Sequence, residues 1–366
     1  MKRKFEQTKE NLFDIVSFIP KEISNLIFGF IRRKSKIKTW RFVCKSWNEK
    51  VEFWIKENLS IIISNCDSNR IGFNLYNRLL SKAIIIDLKE TGLIELDLKN
   101  IENVRSVSFK SDRGFTKQVS ECVQRLKHVS SLNLTKIKNY DEDKPFDELK
   151  VFTKLQDLKM IVDQPVIDFE MNQVTHLELR SKSDFQEQLL SYFPKLKSLR
   201  LADIEEDFFF NNSKTLNRIE SLTIRRINIF ELFCDGQLKF DKLRFACIKK
   251  CDSIWFLNQF FLNTNVEHLI LNECQIHESR FFALSMSNLK TIELDTISLT
   301  MFDVDALVDS IILVSKNLIR IRIRESKEID YKRIDAYNWD KLHRLPNLKH
   351  TRWTNNLLEF VFKPLL

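Results

Sequence analysis

A chain of 366 residues carrying 59 Lys and Arg against 50 Asp and Glu has a formal net charge of +9 and a pI near 9.1, a balance that favours an acidic partner, whether protein, phosphopeptide or nucleic acid. With 43% hydrophobic and 30% charged residues it has the make-up of a folded chain, and its apolar runs fall short of the ~18 residues a membrane span needs. Seven scattered cysteines, an odd number, fit reduced thiols in the cytosol or nucleus better than a disulfide framework.

In chain order, residues 1–17 read as a tail. Met1-Lys2-Arg3-Lys4 leads into polar sequence and not into the apolar core of a signal peptide. Residues 18–58 read as a small all-helical module. Pro20 suits a helix start, Glu22 suits its first turn, and Ile23, Ile27 and Ile31 form an i, i+4 apolar stripe. A second helix presents Val43 and Trp47, again four apart. Short helices within about 40 residues bury little surface alone, so such a module is expected to dock on a partner.

This segment resembles an F-box. The family pattern L-P-x-E-[LI], I-x-x-[YF]-L and V-C-[KR]-x-W is matched by Ile19-Pro20-Lys21-Glu22-Ile23, Ile27-Phe28-Gly29-Phe30-Ile31 and Val43-Cys44-Lys45-Ser46-Trp47. Ile replaces the leading Leu, and Arg32-Arg33-Lys34 stands where the family usually has an acidic or Pro-containing turn. The resemblance implies that Ile19, Pro20, Glu22, Ile23, Ile27, Ile31, Val43, Cys44 and Trp47 bind a Skp-family adaptor, and through it a cullin–RING ligase. The alternative is a helical cap on the array that follows.

Residues 59–103 read as a linker in which Ala83–Leu88 and Leu93–Leu98 form a cap or degenerate first repeats. From 104 to 366 a hexapeptide of the form L-x-x-L-x-L recurs at a spacing of roughly 23 residues. Its first residues are Val104, Val129, Leu155, Val174, Leu196, Ile219, Leu243, Val266, Leu289, Leu318 and Leu348. The array resembles leucine-rich repeats. Each x-L-x-L-x predicts a short strand with one buried face. Between strands, helices are expected over Thr116–His128, after Asp184 (with Phe185, Leu189 and Phe193 inward) and after Asp303 or Asp305 (with Leu307, Ile311 and Val314 inward). The ninth position is apolar or thiol: Ile137, Ile204, Ile227, Cys251, Cys274 and Ile297. The expected fold is α/β, a small all-helical F-box followed by a solenoid with a curved parallel sheet inside and helices outside.

An F-box followed by leucine-rich repeats resembles the substrate-receptor subunits of Skp–cullin–F-box ubiquitin ligases. The resemblance implies a non-catalytic, cytoplasmic or nuclear adaptor that commits substrates to proteasomal degradation. Alternation leaves positions three, five and seven of each repeat on the concave face, where Arg200, Arg225, Lys249, Arg320, Arg322, Arg324 and Arg352 fall. Guanidinium forks match carboxylate and phosphate oxygens, so an acidic or phosphorylated protein segment is the expected substrate. The competing reading pairs the last arginines with Glu293 and Asp295 one repeat earlier. Phe245, Cys247 and Ile270 offer a second, apolar contact. Cys247, Cys251 and the Cys274/His277 pair do not supply four convergent ligands, so no metal is expected. No phosphate loop or nucleophile motif is present, and neither a cofactor nor an enzymatic activity is expected. A scaffold without a role in ubiquitin transfer is the alternative function. Nucleic acid is disfavoured because the face lacks a regular aromatic series.

Overall fold

Alternating apolar residues in so short a motif can bury only one side of a strand, and each such strand needs a neighbour for its amides and carbonyls. The computed structural model describes residues 49–50, 52–53, 60–64, 82–87, 103–110, 124–135, 147–162, 166–181, 187–205, 207–227, 240–251, 265–274, 288–296, 317–324, 341, 344–345, 347–354 and 357–363. The chain falls into two compact units, Met1–Lys138 with Val151–Leu155, and Asn139–Lys150 with Gln156–Leu366. Residues 49–50 and 52–53 are helical. The rest of the 18–58 segment, including every adaptor-binding position from Ile19 to Trp47, lies outside the described residues, as does Leu93–Leu98.

In the first unit, β1 (Ser60–Ser64), β2 (Ala83–Asp87), β3 (Ser106–Lys110) and β4 (Ser131–Thr135) pair in parallel and in register. Val107 and Phe109 of β3 and Leu132 and Leu134 of β4 are buried, as the alternation requires. The second unit continues the pattern with β5 (Asp157–Ile161), β6 (His176–Arg180), β7 (Ser198–Ala202), β8 (Ser221–Arg225), β9 (Phe245–Lys249), β10 (His268–Asn272), β11 (Thr291–Asp295) and β12 (Arg320–Arg324), all parallel. This is a parallel-sheet solenoid of leucine-rich-repeat form, with few helices among the described residues. No described helix is long and apolar enough to cross a membrane.

The repeat is longer than its hexapeptide. Three residues before six of the first positions stands another buried apolar residue: Leu126, Phe152, Met171, Phe193, Leu216 and Phe240. Each carbonyl accepts the first-position N–H at 3.1–3.2 Å, closing a turn that delivers the chain to the strand. The second-position carbonyl then accepts two amides of the next repeat. Lys197, for example, receives the N–H of Glu220 at 2.8 Å and of Ser221 at 3.0 Å. At the strand's other end the eighth position adopts left-handed backbone in consecutive repeats: Asp203, Arg226, Lys250, Glu273 and Thr296, with φ of 52–57°. Its N–H turns sideways to the seventh-position carbonyl of the following repeat, from 3.1 Å at Asp203 to 2.6 Å at Thr296.

Two expectations are corrected. Leu348 does not open another parallel repeat. β13 (Leu348–Thr354) and β14 (Leu357–Phe362) form an antiparallel hairpin, and β14 is the strand beside β12. The reason is side-chain content. Leu358, Phe360 and Phe362 bury a full apolar face, whereas β13 offers Thr351 where a repeat needs Leu. The helix expected after Asp184 is a single 3₁₀ turn, Leu189–Tyr192. Leu189 and Phe193 are buried as their spacing demands, but Gln188 at φ 55° stops a helix from running into them. Of the Thr116–His128 helix, residues 124–125 are helical and Leu126 is buried, while the segment after Asp303 lies outside the described residues.

Where helices are described they last one turn: α1 (Asp207–Asn211) and α2 (Ser213–Leu216). Between them Asn212 is buried, and its side chain ties two repeats together. Its Oδ1 accepts the Leu190 N–H at 2.8 Å, and its Nδ2 donates to the Phe208 carbonyl at 2.8 Å. Asn212→Ala orphans both groups and should cost about 2–4 kcal/mol, read from urea unfolding. Thr296 is a β-branched residue in left-handed backbone, a conformation that Asn tolerates. Thr296→Asn should therefore stabilise by about 0.5–1 kcal/mol in the same experiment; an unchanged or lower midpoint would contradict the strain.

Candidate functional site

Register turns the odd positions of the second unit into columns on the sheet face opposite the core. The fifth-position column runs Lys159, Glu178, Arg200, Thr223, Cys247, Ile270, Glu293, Arg322, then Glu359 and Arg352 across the hairpin. The seventh-position column runs Ile161, Arg180, Ala202, Arg225, Lys249, Asn272, Asp295 and Arg324. All seven cations named from the sequence lie on these columns or the neighbouring third-position one. They separate into two groups with different surroundings.

Arg320, Arg322, Arg324 and Arg352 are served by acids of the same chain. Glu359 on β14 is buried beneath them. Its carboxylate accepts the Arg322 Nε–H at 2.8 Å and lies 3.3 Å from Arg320 Nε. Arg352 faces it from β13, where the two are register partners. Arg324 reaches Asp295 at 3.8 Å, and that carboxylate also accepts from Asn272 at 2.8 Å. The pairing expected with Glu293 and Asp295 thus occurs at Asp295, while the dominant acid is Glu359, a residue outside the repeat frame. The Arg322 hydrogen bond, then the charges of Arg322, Arg320 and Arg352, hold the Glu359 carboxyl below its ordinary value, and the same bond raises Arg322.

The second group, Arg200, Arg225 and Lys249, lies on β7, β8 and β9. Lys159 pairs with Glu178, leaving Arg200 a long contact to that carboxylate at 3.9 Å with its side chain 65% exposed. Arg225 is exposed and Lys249 half-buried, and neither has an ion-pair partner among the described residues. The nearby Asp203 is engaged elsewhere, by Arg180 and by Arg226, each at 2.7 Å. Between the cations sit Phe245, Cys247 and Ile270. Cys247 is buried although it occupies an odd position, a small side chain flanked by Thr223 and Ile270 on the adjacent strands. Burial pushes its thiol up to about 11, so it stays protonated and a weak nucleophile near neutral pH.

Cys251 and Cys274 occupy the ninth positions and are buried with free thiols that close the turn. Cys251 Sγ donates to the Lys249 carbonyl at 3.4 Å, and Cys274 Sγ to the Asn272 carbonyl at 3.3 Å. Their hydrogen bond to one another, with burial, raises the Cys251 thiol. They point inward while Cys247 lies on the other side of the sheet, so the three thiols do not converge. His277 lies outside the described residues.

No family model matches the chain, and no curated protein matches it. Among solved structures it is similar to an internalin C2 from Listeria monocytogenes str. 4b F2365, at 17% identity and a TM-score of 0.32, covering 54% of this chain and 82% of that one. It is also similar to the leucine-rich repeat domain of APL1B, at 13% identity and a TM-score of 0.35, covering 70% of this chain and 83% of that one.

The buried Glu359 makes the hairpin sensitive to acid. A depressed carboxyl contributes stability that is fully present above its ordinary value of about 4.3 and is lost as pH falls through its folded value. Glu359→Gln should lower stability at pH 7 by about 1–2 kcal/mol, less than a wholly buried pair because the arginines are 46% and 35% exposed. The difference from wild type should shrink as the pH drops below about 4, measured by urea unfolding across pH. A gap independent of pH would show that shape, and not charge, is what Glu359 supplies.

Proposed function

We propose that the chain is a protein-binding scaffold that receives its partner on the open sheet face of the second unit. One observation carries this reading. Eight parallel strands in register present their odd positions on one face, where residue type varies freely, while the even positions hold the core. Such a lattice recognises by side-chain pattern and demands no catalytic group of its own. The resemblance of residues 18–58 to an F-box extends the proposal. That module would tether the scaffold to a Skp-family adaptor and a cullin–RING ligase in the cytoplasm or nucleus, so that a bound substrate meets the ubiquitin-transfer machinery at high effective concentration. The motif residues support this extension.

The test is retention of purified Skp-family adaptor by the immobilised full chain, with Ile23→Lys plus Trp47→Ala as the comparison. Retention should fall more than tenfold in the double variant while its circular dichroism stays that of wild type. A well-folded wild type that retains no adaptor would remove the ligase role and leave the scaffold, whose partner binding should then survive deletion of residues 18–58.

A further inference from the structure

Among the described residues the two groups of cations differ in how far the chain supplies their counter-charge. Around β12–β14, Arg320 and Arg322 share Glu359 and Arg324 reaches Asp295, while Arg352 is the register partner of Glu359. On β5 and β6, Lys159 is matched by Glu178. Between these stretches the third, fifth and seventh positions of β7–β10 carry Arg200, Arg225 and Lys249 and no Asp or Glu. The same strands place Phe245 and Ile270, both half-buried, beside the cations. A local excess of positive charge with apolar side chains among it is complementary to a chain of opposite pattern.

We infer that the face of β7–β10 docks an extended acidic segment of a partner protein, with successive carboxylates on Arg200, Arg225 and Lys249 and an apolar side chain against Phe245 and Ile270. This rests on the scaffold reading and gives its partner a chemistry. Spacing favours separate carboxylates over one compact dianion. Arg225 and Lys249 are register partners on adjacent strands, about 5 Å apart at Cα, and Arg200 lies one strand across and two residues back, about 8 Å from Arg225. An extended segment repeats its same-side groups every ~7 Å, which matches that spread. Single-stranded nucleic acid would want stacking platforms along its path, and Phe245 is the sole Phe, Tyr or Trp at these positions. Arg320, Arg322 and Arg352 are less available, because a ligand must displace Glu359 from beneath them.

The probe is a fluorescein-labelled peptide of alternating Glu and Leu, followed by anisotropy at physiological ionic strength. Arg225→Gln plus Lys249→Gln should weaken binding at least tenfold. Lys214→Gln plus Lys242→Gln, which removes the same charge away from this face, should change it less than twofold. Arg200→Gln alone should weaken it by a smaller factor, because Arg200 already shares Glu178. Absence of binding by wild type, or equal weakening in both double variants, would overturn the site. So would tighter binding of a phosphoserine peptide or of oligouridine, each of which names another occupant. Adaptor retention is scored on the same proteins. If the peptide fails while the adaptor is held, this site falls and the receptor reading stands; if the adaptor fails while the peptide binds, the reverse holds.

Discussion

A five-residue parallel strand has nowhere to send its backbone polar groups except into the next strand, and the rest of this structure depends on that obligation. The five repeats that open at Leu196, Ile219, Leu243, Val266 and Leu289 meet it three times. The second-position carbonyl takes two amides from the following repeat, the strand pairs in register, and the eighth-position amide reaches across to the next seventh-position carbonyl. The last of these requires left-handed backbone, and residues as different as Asp203, Lys250 and Thr296 accept it. A turn imposed on such unlike side chains shows that the neighbouring repeat dictates it. Local propensity does not.

The same obligation explains how the second unit ends. In place of a further parallel strand the chain changes direction. β14 runs antiparallel against β12, and the Phe362 N–H takes up the Ile319 carbonyl at 2.8 Å, where the next repeat's amides would have bonded. The hairpin also brings Glu359 under the arginines of β12. A row of like charges on adjacent odd positions would repel itself, and a buried acid from outside the repeat relieves it. β13 is left on the outside with Lys349, His350 and Arg352 exposed, charges that discourage another strand from adding to the edge.

The strands were legible because period-two alternation within a period near 23 leaves little freedom. Leu199 and Leu201, or Leu269 and Leu271, are buried where the hexapeptide puts them. The turn residues were not read, although Phe193-x-x-Leu196 and Phe240-x-x-Leu243 carry a signal three residues upstream that a longer frame would have caught. The left-handed eighth position gave no signal, since no Gly or Asn marks it. The final hairpin did. Thr351 at a fourth position breaks the motif, and Leu357–Phe362 is a separate apolar run interrupted only by Glu359. At the candidate site the alternation placed the cations on the open face and made Arg320-Ile321-Arg322-Ile323-Arg324 the foremost patch, but which of them are free depends on which acids fold back toward them. Glu178 and Asp295 sit in the repeat frame and were readable. Glu359 was not, because its place beside Arg322 follows from a strand direction that the motif does not encode.

Charge pairing then decides which cations can work for a ligand. An arginine already hydrogen-bonded to a buried carboxylate gains little from a second acid, since the newcomer must equal the old geometry and also leave Glu359 uncompensated in a desolvated place. An arginine or lysine facing water gives up only hydration, and a nearby apolar group lowers the local dielectric as the ligand covers it. Arg225 and Lys249 are of the second kind, with Phe245 and Ile270 beside them. The run Arg320-Ile321-Arg322-Ile323-Arg324 is the more conspicuous sequence, but its charge is largely spent on holding the hairpin to the array. Affinity on this face is therefore expected to come from β7–β10, where Arg225 and Lys249 have no ion-pair partner among the described residues to leave.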